Sequence, residues 1–202
     1  MMSTRKDISY KLIHFTSGEN EEKAYQCLCK IVKERCILGT SKRIKGNYNC
    51  VCFSEAPLTS LIDGLVNPDA CSRYSLFGIM FEKRLIFKLG GRPVIYQTDE
   101  EFEGLPDEYR WRHVRYEPNN RDKLIDFTWE REWRIKCGAL RFNPSNAIIV
   151  VPTEGWSQRM ISEHEAEQNF KVFQYSERLD DEIIAQQYRE SFPWRVCKLK
   201  QK

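Results

Sequence analysis

Hydrophobicity in this chain comes in pieces no longer than a β-strand. Ala147-Ile148-Ile149-Val150-Val151 is wholly apolar, and an unbroken run of that size reads as a strand covered on both faces. Tyr10 to Thr16, Cys50-Val51-Cys52-Phe53 and Phe77 to Phe81 are further strand-length runs. None approaches the roughly 20 residues of a membrane-spanning helix. Helical spacing appears between them: Ala24, Cys27, Leu28, Ile31 and Val32 recur at the intervals of one buried helix face. Thr16 or Ser17 is placed to cap that helix, Glu19, Glu21 and Glu22 suit its positive start, and Gly39 is placed to end it. Strands gather in the middle, helices flank them, and regular βαβ alternation is missing, which predicts an α+β fold. With 202 residues and 41% hydrophobic content, one domain over 1–202 is expected.

The remaining segments are read the same way. Leu58, Leu61, Ile62 and Leu65 predict a short amphipathic helix, and Arg84 to Leu89 a helical turn stopped by Gly90-Gly91. Pro93 to Gln97 reads as a strand with proline at its start. Asp99 to Asp126 is the least regular stretch, and Thr128 to Lys136 the clearest strand. Gly155 to Asn169 predicts a helix, Lys171 to Tyr175 a strand, and Leu179 to Arg189 a helix. The basic tail from about Trp194 is expected to be partly disordered.

Composition removes several classes. Met1 to Asp7 is polar and lacks the apolar centre of a signal peptide, so a cytoplasmic protein without membrane contact is expected. The eight cysteines then read as small buried hydrophobes rather than disulfide partners. Their pairs, Cys27/Cys29 and Cys50/Cys52, are C-x-C, not the C-x-x-C of a zinc site, so no metal is expected. A net charge of +3 with pI ≈ 8.4 is compatible with an anionic partner, although dedicated nucleic-acid binders often exceed pI 9. The chain lacks Walker A, Gly-x-Gly-x-x-Gly and Gly-x-Ser-x-Gly motifs, which argues against P-loop, Rossmann and serine-hydrolase chemistry.

The feature richest in chemistry is Thr128-Trp129-Glu130-Arg131-Glu132-Trp133-Arg134. Side chains alternate across a strand, so Thr128, Glu130, Glu132 and Arg134 are expected on one face, spaced about 7 Å apart, with Trp129, Arg131, Trp133 and Ile135 on the other. The tryptophan face is the natural core face. Glu130 and Glu132 then form a carboxylate pair beside a cation, the kind of site that stabilises a positively charged, sugar-derived transition state. The same pattern also suits a solvated surface carrying an ion pair or a Mg²⁺ nuclease site. His14 ends an apolar strand, where ligands are often met, although a lone histidine there is more often structural. Ser54 closes the strand begun by Cys50 and could cap a following helix.

Three elements in this order, His14-Phe15-Thr16, Phe53-Ser54 and Glu130-Arg131-Glu132, resemble the ADP-ribosyltransferase superfamily. The opening Leu-Ile-His-Phe-Thr is similar to DarT-type toxins, and the chain as a whole to phage-defence proteins of the AbiGi kind and to toxins such as CmdT. The resemblance spans about residues 10 to 152 and implies a core of two small packed β-sheets with flanking helices. It implies NAD as co-substrate, with His14, Phe15, Thr16, Phe53 and Ser54 around it and Phe53, Tyr74 or Phe77 stacking on nicotinamide. It implies Glu132 as the catalytic carboxylate and Glu130 as the group that orients or deprotonates the acceptor. Ser54 lacks the flanks of the family's Ser-Thr-Ser motif.

In that family the loop before the catalytic strand, here Asn119 to Phe127, faces the acceptor. Arg110, Trp111, Arg112, Arg115 and Tyr116 alternate cations with aromatics, as phosphate contact and base stacking require. The expected acceptor is therefore nucleic acid, RNA or single-stranded DNA, with a protein acceptor as the alternative. The same segment also reads as a surface helix with Trp111 packed inward, and Lys42, Arg43 and Lys45 as a solvated loop. A toxin or phage-defence effector implies an antitoxin partner; a non-enzymatic nucleic-acid-binding or antitoxin module is the competing class.

Overall fold

A computed structural model describes residues 8–57, 75–119 and 124–199. The expected helix at Leu58 to Leu65, the polar start Met1 to Asp7 and Tyr74 lie outside them. The described architecture is mixed α and β. Its strands are β1 (Lys11–Phe15), β2 (Cys36–Leu38), β3 (Cys50–Ser54), β4 (Gly78–Glu82), β5 (Arg92–Pro93), β6 (Ile95–Gln97), β7 (His113–Arg115), β8 (Glu132–Lys136), β9 (Ala139–Arg141), β10 (Ala147–Val151) and β11 (Arg195–Lys198). Its helices are α1 (Glu21–Glu34), α2 (Lys83–Lys88), α3 (Asp99–Glu103), α4 (Asp107–Arg110), α5 (Glu154–Leu179) and α6 (Glu182–Gln186). Seven strands share one sheet in the order β11-β10-β4-β1-β3-β8-β5; β2-β9 and β6-β7 are separate pairs.

The register locates a weak seam in that sheet. β1 pairs with β4 over its whole length, from Lys11↔Glu82 to Phe15↔Gly78, and β3 pairs with β8 from Cys50↔Lys136 to Ser54↔Glu132. Between β1 and β3 the single register pair is Ile13↔Ser54. This sparsest pairing divides the single seven-stranded sheet into two halves, β11-β10-β4-β1 and β3-β8-β5. Leu12, Val51, Phe53, Phe81, Ile135 and Ile149 face the main core. There Tyr25 of α1 packs on Trp156 of α5, their ring centroids 4.9 Å apart. Ile13, Met80, Val150 and Leu199 form a smaller cluster on the opposite face, as strand alternation requires.

Several sequence expectations are corrected. Asn20, not Thr16 or Ser17, caps α1 by accepting from Lys23 N–H, and Arg35 rather than Gly39 ends it, in the left-handed region at φ 50. Pro93 to Gln97 is shared between two sheets, β5 and β6. The irregular stretch from Asp99 contains α3, α4 and β7. Lys171 to Tyr175 is helical, inside the 26-residue α5: Val172 is buried while Phe170 and Phe173 stay exposed, and Tyr175 stacks on Tyr188 at 4.4 Å. The tail is a strand as far as Lys198, parallel to β10, because Val196 packs on the main core and Cys197 on the opposite cluster.

Candidate active site

Where β1 and β3 part, a side chain bridges them. Nδ1 of His14 lies 2.8 Å from the Cys52 carbonyl. A carbonyl only accepts, so Nδ1 carries the proton and Nε2 of the neutral ring is the acceptor. Burial holds the imidazole below its ordinary pKa of 6.5, only partly offset by the bond to Cys52. Its ring meets Phe53 edge-on at 6.2 Å.

The acidic segment departs from a continuous strand. Thr128–Glu130 is a 3-10 turn, Arg131 lies in the left-handed region at φ 45, and β8 starts only at Glu132. Strand alternation therefore holds from Glu132 onward. Trp133 and Ile135 pack on the core, while Glu132 and Arg134 occupy the other face. Glu130 reaches the same place through the turn. That turn is held by two consecutive residues of the β3 end: Ser54 Oγ donates to the Glu130 carbonyl at 2.8 Å, and the Glu55 N–H donates to the Arg131 carbonyl at 3.1 Å. The Glu55 carboxylate accepts from Trp133 Nε1 and Lys83 Nζ, both at 2.6 Å. A non-glycine residue in the left-handed region costs roughly 1–2 kcal/mol, and these bonds oppose its relaxation.

Glu132 is clamped. Arg134 donates from Nε and Nη2 to its two oxygens at 2.8 and 3.2 Å, and from Nη1 to the carbonyls of Trp111 and His113 at 3.0 and 2.8 Å. Both side chains are nearly inaccessible, 13% exposed for Glu132 and 6% for Arg134. Burial opposes the charge on Arg134, and the Glu132 carboxylate more than restores it, leaving the guanidinium pKa above its usual value. Beyond the two bonds to Arg134 the carboxylate has further lone pairs, one of them met by the Cys52 thiol. The Glu132 N–H donates to the Tyr96 hydroxyl at 3.1 Å, and burial pushes that phenol up to about 12. Sequence reading missed Tyr96 because β6 is remote in the chain. Burial also pushes the Cys50 thiol up to about 11 and raises that of Cys52, where Glu132 adds to the effect. Neither is a ready thiolate nucleophile.

Two hollows meet at these carboxylates. A ≈ 90 Å³ hollow is lined by Ile13, His14, Phe15, Cys52, Phe53, Ser54, Glu130 and Glu132. A ≈ 460 Å³ cleft on the other side shares Cys52, Glu130 and Glu132 and adds Lys42, Arg43, Lys45, Arg115 and Phe127. Of the expected co-substrate residues, His14, Phe15, Phe53 and Ser54 come together with both glutamates.

Thr16 does not join them; it is buried, with its hydroxyl donating to the carbonyls of Ala24 and Phe77. Phe77 is core, packed on Trp156 at 5.0 Å. Of Arg110, Trp111, Arg112 and Arg115 only Arg115 lines the cleft, together with Phe127 from the end of the expected acceptor loop. Arg110 donates to the carbonyls of Leu105 and Glu103, and Arg112 to that of Pro93. Trp111 is buried beside Ile44 and Cys50, the inward-packed alternative. Lys42, Arg43 and Lys45 edge the cleft instead. Among the described residues no group of three or more His, Cys, Asp or Glu side chains is placed to hold a metal, all seven cysteines are free, and no helix is long and apolar enough to cross a membrane.

Neither a protein-family model, nor a curated protein, nor a solved structure matches the chain.

Proposed function

We propose that this chain is an NAD-dependent mono-ADP-ribosyltransferase. The observation that carries the reading is the shared hollow: His14 from one half-sheet and Glu130 and Glu132 from the other line the same ≈ 90 Å³ space. The two half-sheets joined by the single pair Ile13↔Ser54 support an ADP-ribosyltransferase-like core of two small sheets. Likeness to DarT-type toxins and phage-defence proteins makes a toxin or defence effector the expected setting.

In this reading nicotinamide enters the small hollow beside Phe53, and the neutral His14 offers Nε2 to a ribose hydroxyl. Glu132 accepts a hydrogen bond from the 2′-hydroxyl of the nicotinamide ribose. The bond between the anomeric carbon and nicotinamide breaks, and its electron pair leaves with nicotinamide. The cationic ribosyl centre that forms gains more from a fixed carboxylate than the neutral ribose did, so the transition state is favoured over the ground state. An acceptor lone pair then closes the new bond at the anomeric carbon, and Glu130 takes the acceptor's proton. Arg134 holds the Glu132 carboxylate in one rotamer.

The test is release of free nicotinamide from NAD, with lysate, RNA or DNA supplied as acceptor. Glu132→Gln is expected to slow release by roughly a hundredfold or more. No release by the unaltered chain above the Glu132→Gln background overturns the proposal. A non-enzymatic nucleic-acid-binding module is favoured by one observation, the exposed Lys42 and Arg43 at the cleft. It predicts binding without nicotinamide release.

A further inference from the structure

We propose that the chain associates head to tail with further copies of itself: the acidic, apolar end of the α5–α6 hairpin of one copy docks on the basic, apolar face of α2 of the next. This association does not depend on the transferase reading.

The end of α5 outruns the core. Beyond Val172 none of the helix is buried, yet it continues to Leu179. α6 folds back on it: Ala185 is fully buried, and Tyr188 lies flat on Tyr175, the rings 4.4 Å apart and 10° from parallel. Asp181 caps α6 by accepting from the N–H groups of Ile183 and Ile184 at 2.9 and 3.0 Å. The hairpin is therefore held in place, and what it presents is apolar. Leu179, Ile183 and Ile184 are all exposed, Ile183 by 80%. Large apolar side chains scattered singly over a surface are ordinary, whereas a group of them on one element marks a contact surface. Around them Glu177, Asp180, Asp181 and Glu182 outnumber the single cation, Arg178.

The complement lies on α2. Leu85 and Ile86 turn inward to the main core, which leaves Arg84, Phe87 and Lys88 outside, followed by Leu89. Phe87 is 52% exposed and is fixed there. Arg92 lies over its ring at 4.0 Å, and Arg92 Nη1 donates to the carbonyls of Phe87 and Gly91 at 2.9 and 2.7 Å. A pre-positioned aromatic beside an arginine is the kind of anchor on which protein interfaces depend. The stretch from Lys83 to Arg92 contains no acidic residue. Lys83 is taken by Glu55 at 2.6 Å, but Arg84 and Lys88 are exposed and make no ion pair with a described residue. Nor do Glu177, Asp180 and Glu182 at the hairpin end.

Each surface offers the other an apolar centre bordered by the opposite charge. Two hairpin ends, or two α2 faces, would meet like charge, so contact between identical faces is disfavoured. The contact is then heterologous: one face of a copy engages the other face of the next, and the assembly closes into a ring or continues as a chain.

The test is sedimentation velocity of the full chain from micromolar to near-millimolar concentration, at low and high salt. The unaltered chain is expected to associate, and more weakly as salt screens the charges. Glu177→Lys/Glu182→Lys and Arg84→Glu/Lys88→Glu each reverse one surface. Each double variant alone is expected to associate at least tenfold more weakly. Mixed in equal amounts, the two are expected to associate as the unaltered chain does, because each keeps the surface that the other has lost. Phe87→Ala and Ile183→Ala change no charge, and each is expected to weaken association at least tenfold. A chain that stays monomeric at every concentration overturns the proposal and leaves both surfaces to a different partner. Association that Arg84→Glu/Lys88→Glu leaves unchanged overturns it, since the hairpins would then meet each other or another face. A mixture of the two folded double variants that stays monomeric overturns it as well. So does association untouched by Phe87→Ala and Ile183→Ala, the arm that decides if a charge-reversed variant fails to fold.

Discussion

Arg134 grips the carboxylate of Glu132, its neighbour two residues earlier on the same strand face, through both Nε and Nη2. The other end of the guanidinium spans to the backbone of Trp111 and His113. One arginine therefore ties the proposed catalytic carboxylate to Trp111, just after α4, and to β7, which lines the cleft.

That tie has a measurable energy. Arg134→Met leaves a buried carboxylate and two carbonyls without their donor, and is expected to lower unfolding free energy by about 3–5 kcal/mol. Arg134→Lys keeps the charge but not the planar fork, so it recovers only part of the loss. Urea denaturation of both variants measures the difference. A loss under about 1 kcal/mol for Arg134→Met, the range of exposed pairs, would contradict the clamp.

Ser54 Oγ donates to the backbone carbonyl of Glu130. Ser54→Ala removes its bonds to the Glu130 carbonyl and the Ala56 N–H and is expected to cost about 1 kcal/mol of stability. Nicotinamide release should slow less than tenfold, in contrast to Glu132→Gln. Loss of all activity in a folded Ser54→Ala protein would assign the hydroxyl a chemical role instead.

The His14 pKa gives a pH signature. Its folded pKa lies below the ordinary 6.5, so between those two values the unfolded chain binds a proton that the folded chain does not. Stability contributed by neutral His14 is therefore complete above pH 6.5 and falls as the pH drops towards the folded pKa. His14→Asn, which keeps a donor for the Cys52 carbonyl but does not titrate, is expected to flatten this part of the Tm-versus-pH profile. An unchanged slope between pH 7.5 and 5.5 would place the titration elsewhere.

Trp111 and its flanking arginines should separate cleanly. Trp111→Ala empties a packed site behind the basic loop and is expected to cost about 3–5 kcal/mol. Arg110→Ala and Arg112→Ala should leave oligonucleotide affinity within twofold of the unaltered chain. Thermal melts and titration with a labelled single-stranded oligonucleotide check the two halves of this prediction.

The inner strands of the sheet were legible because burial on both faces writes itself as unbroken apolar runs, as in Cys50–Phe53 and Ala147–Val151. Glu132, Trp133 and Arg134 obeyed simple alternation. Glu130 did not, because the left-handed Arg131 that breaks the strand is stabilised by Ser54 and Glu55, far away in sequence. The role of Tyr96 and the gathering of Lys42 and Arg43 at the cleft depend equally on long-range packing. Trp111 was conspicuous, but its neighbours Ile44 and Cys50 could not be read from its own segment. The tail was misjudged because a parallel edge strand takes its order from β10 rather than from its own polarity.

A crystal structure with bound NAD or an unreactive analogue bears most directly on the central claim. The nicotinamide ring is predicted in the hollow lined by His14 and Phe53, with the 2′-hydroxyl of its ribose on Glu132 and the anomeric carbon open towards Glu130. Density for the dinucleotide away from the seam between β1 and β3, or no binding at millimolar NAD, would contradict it.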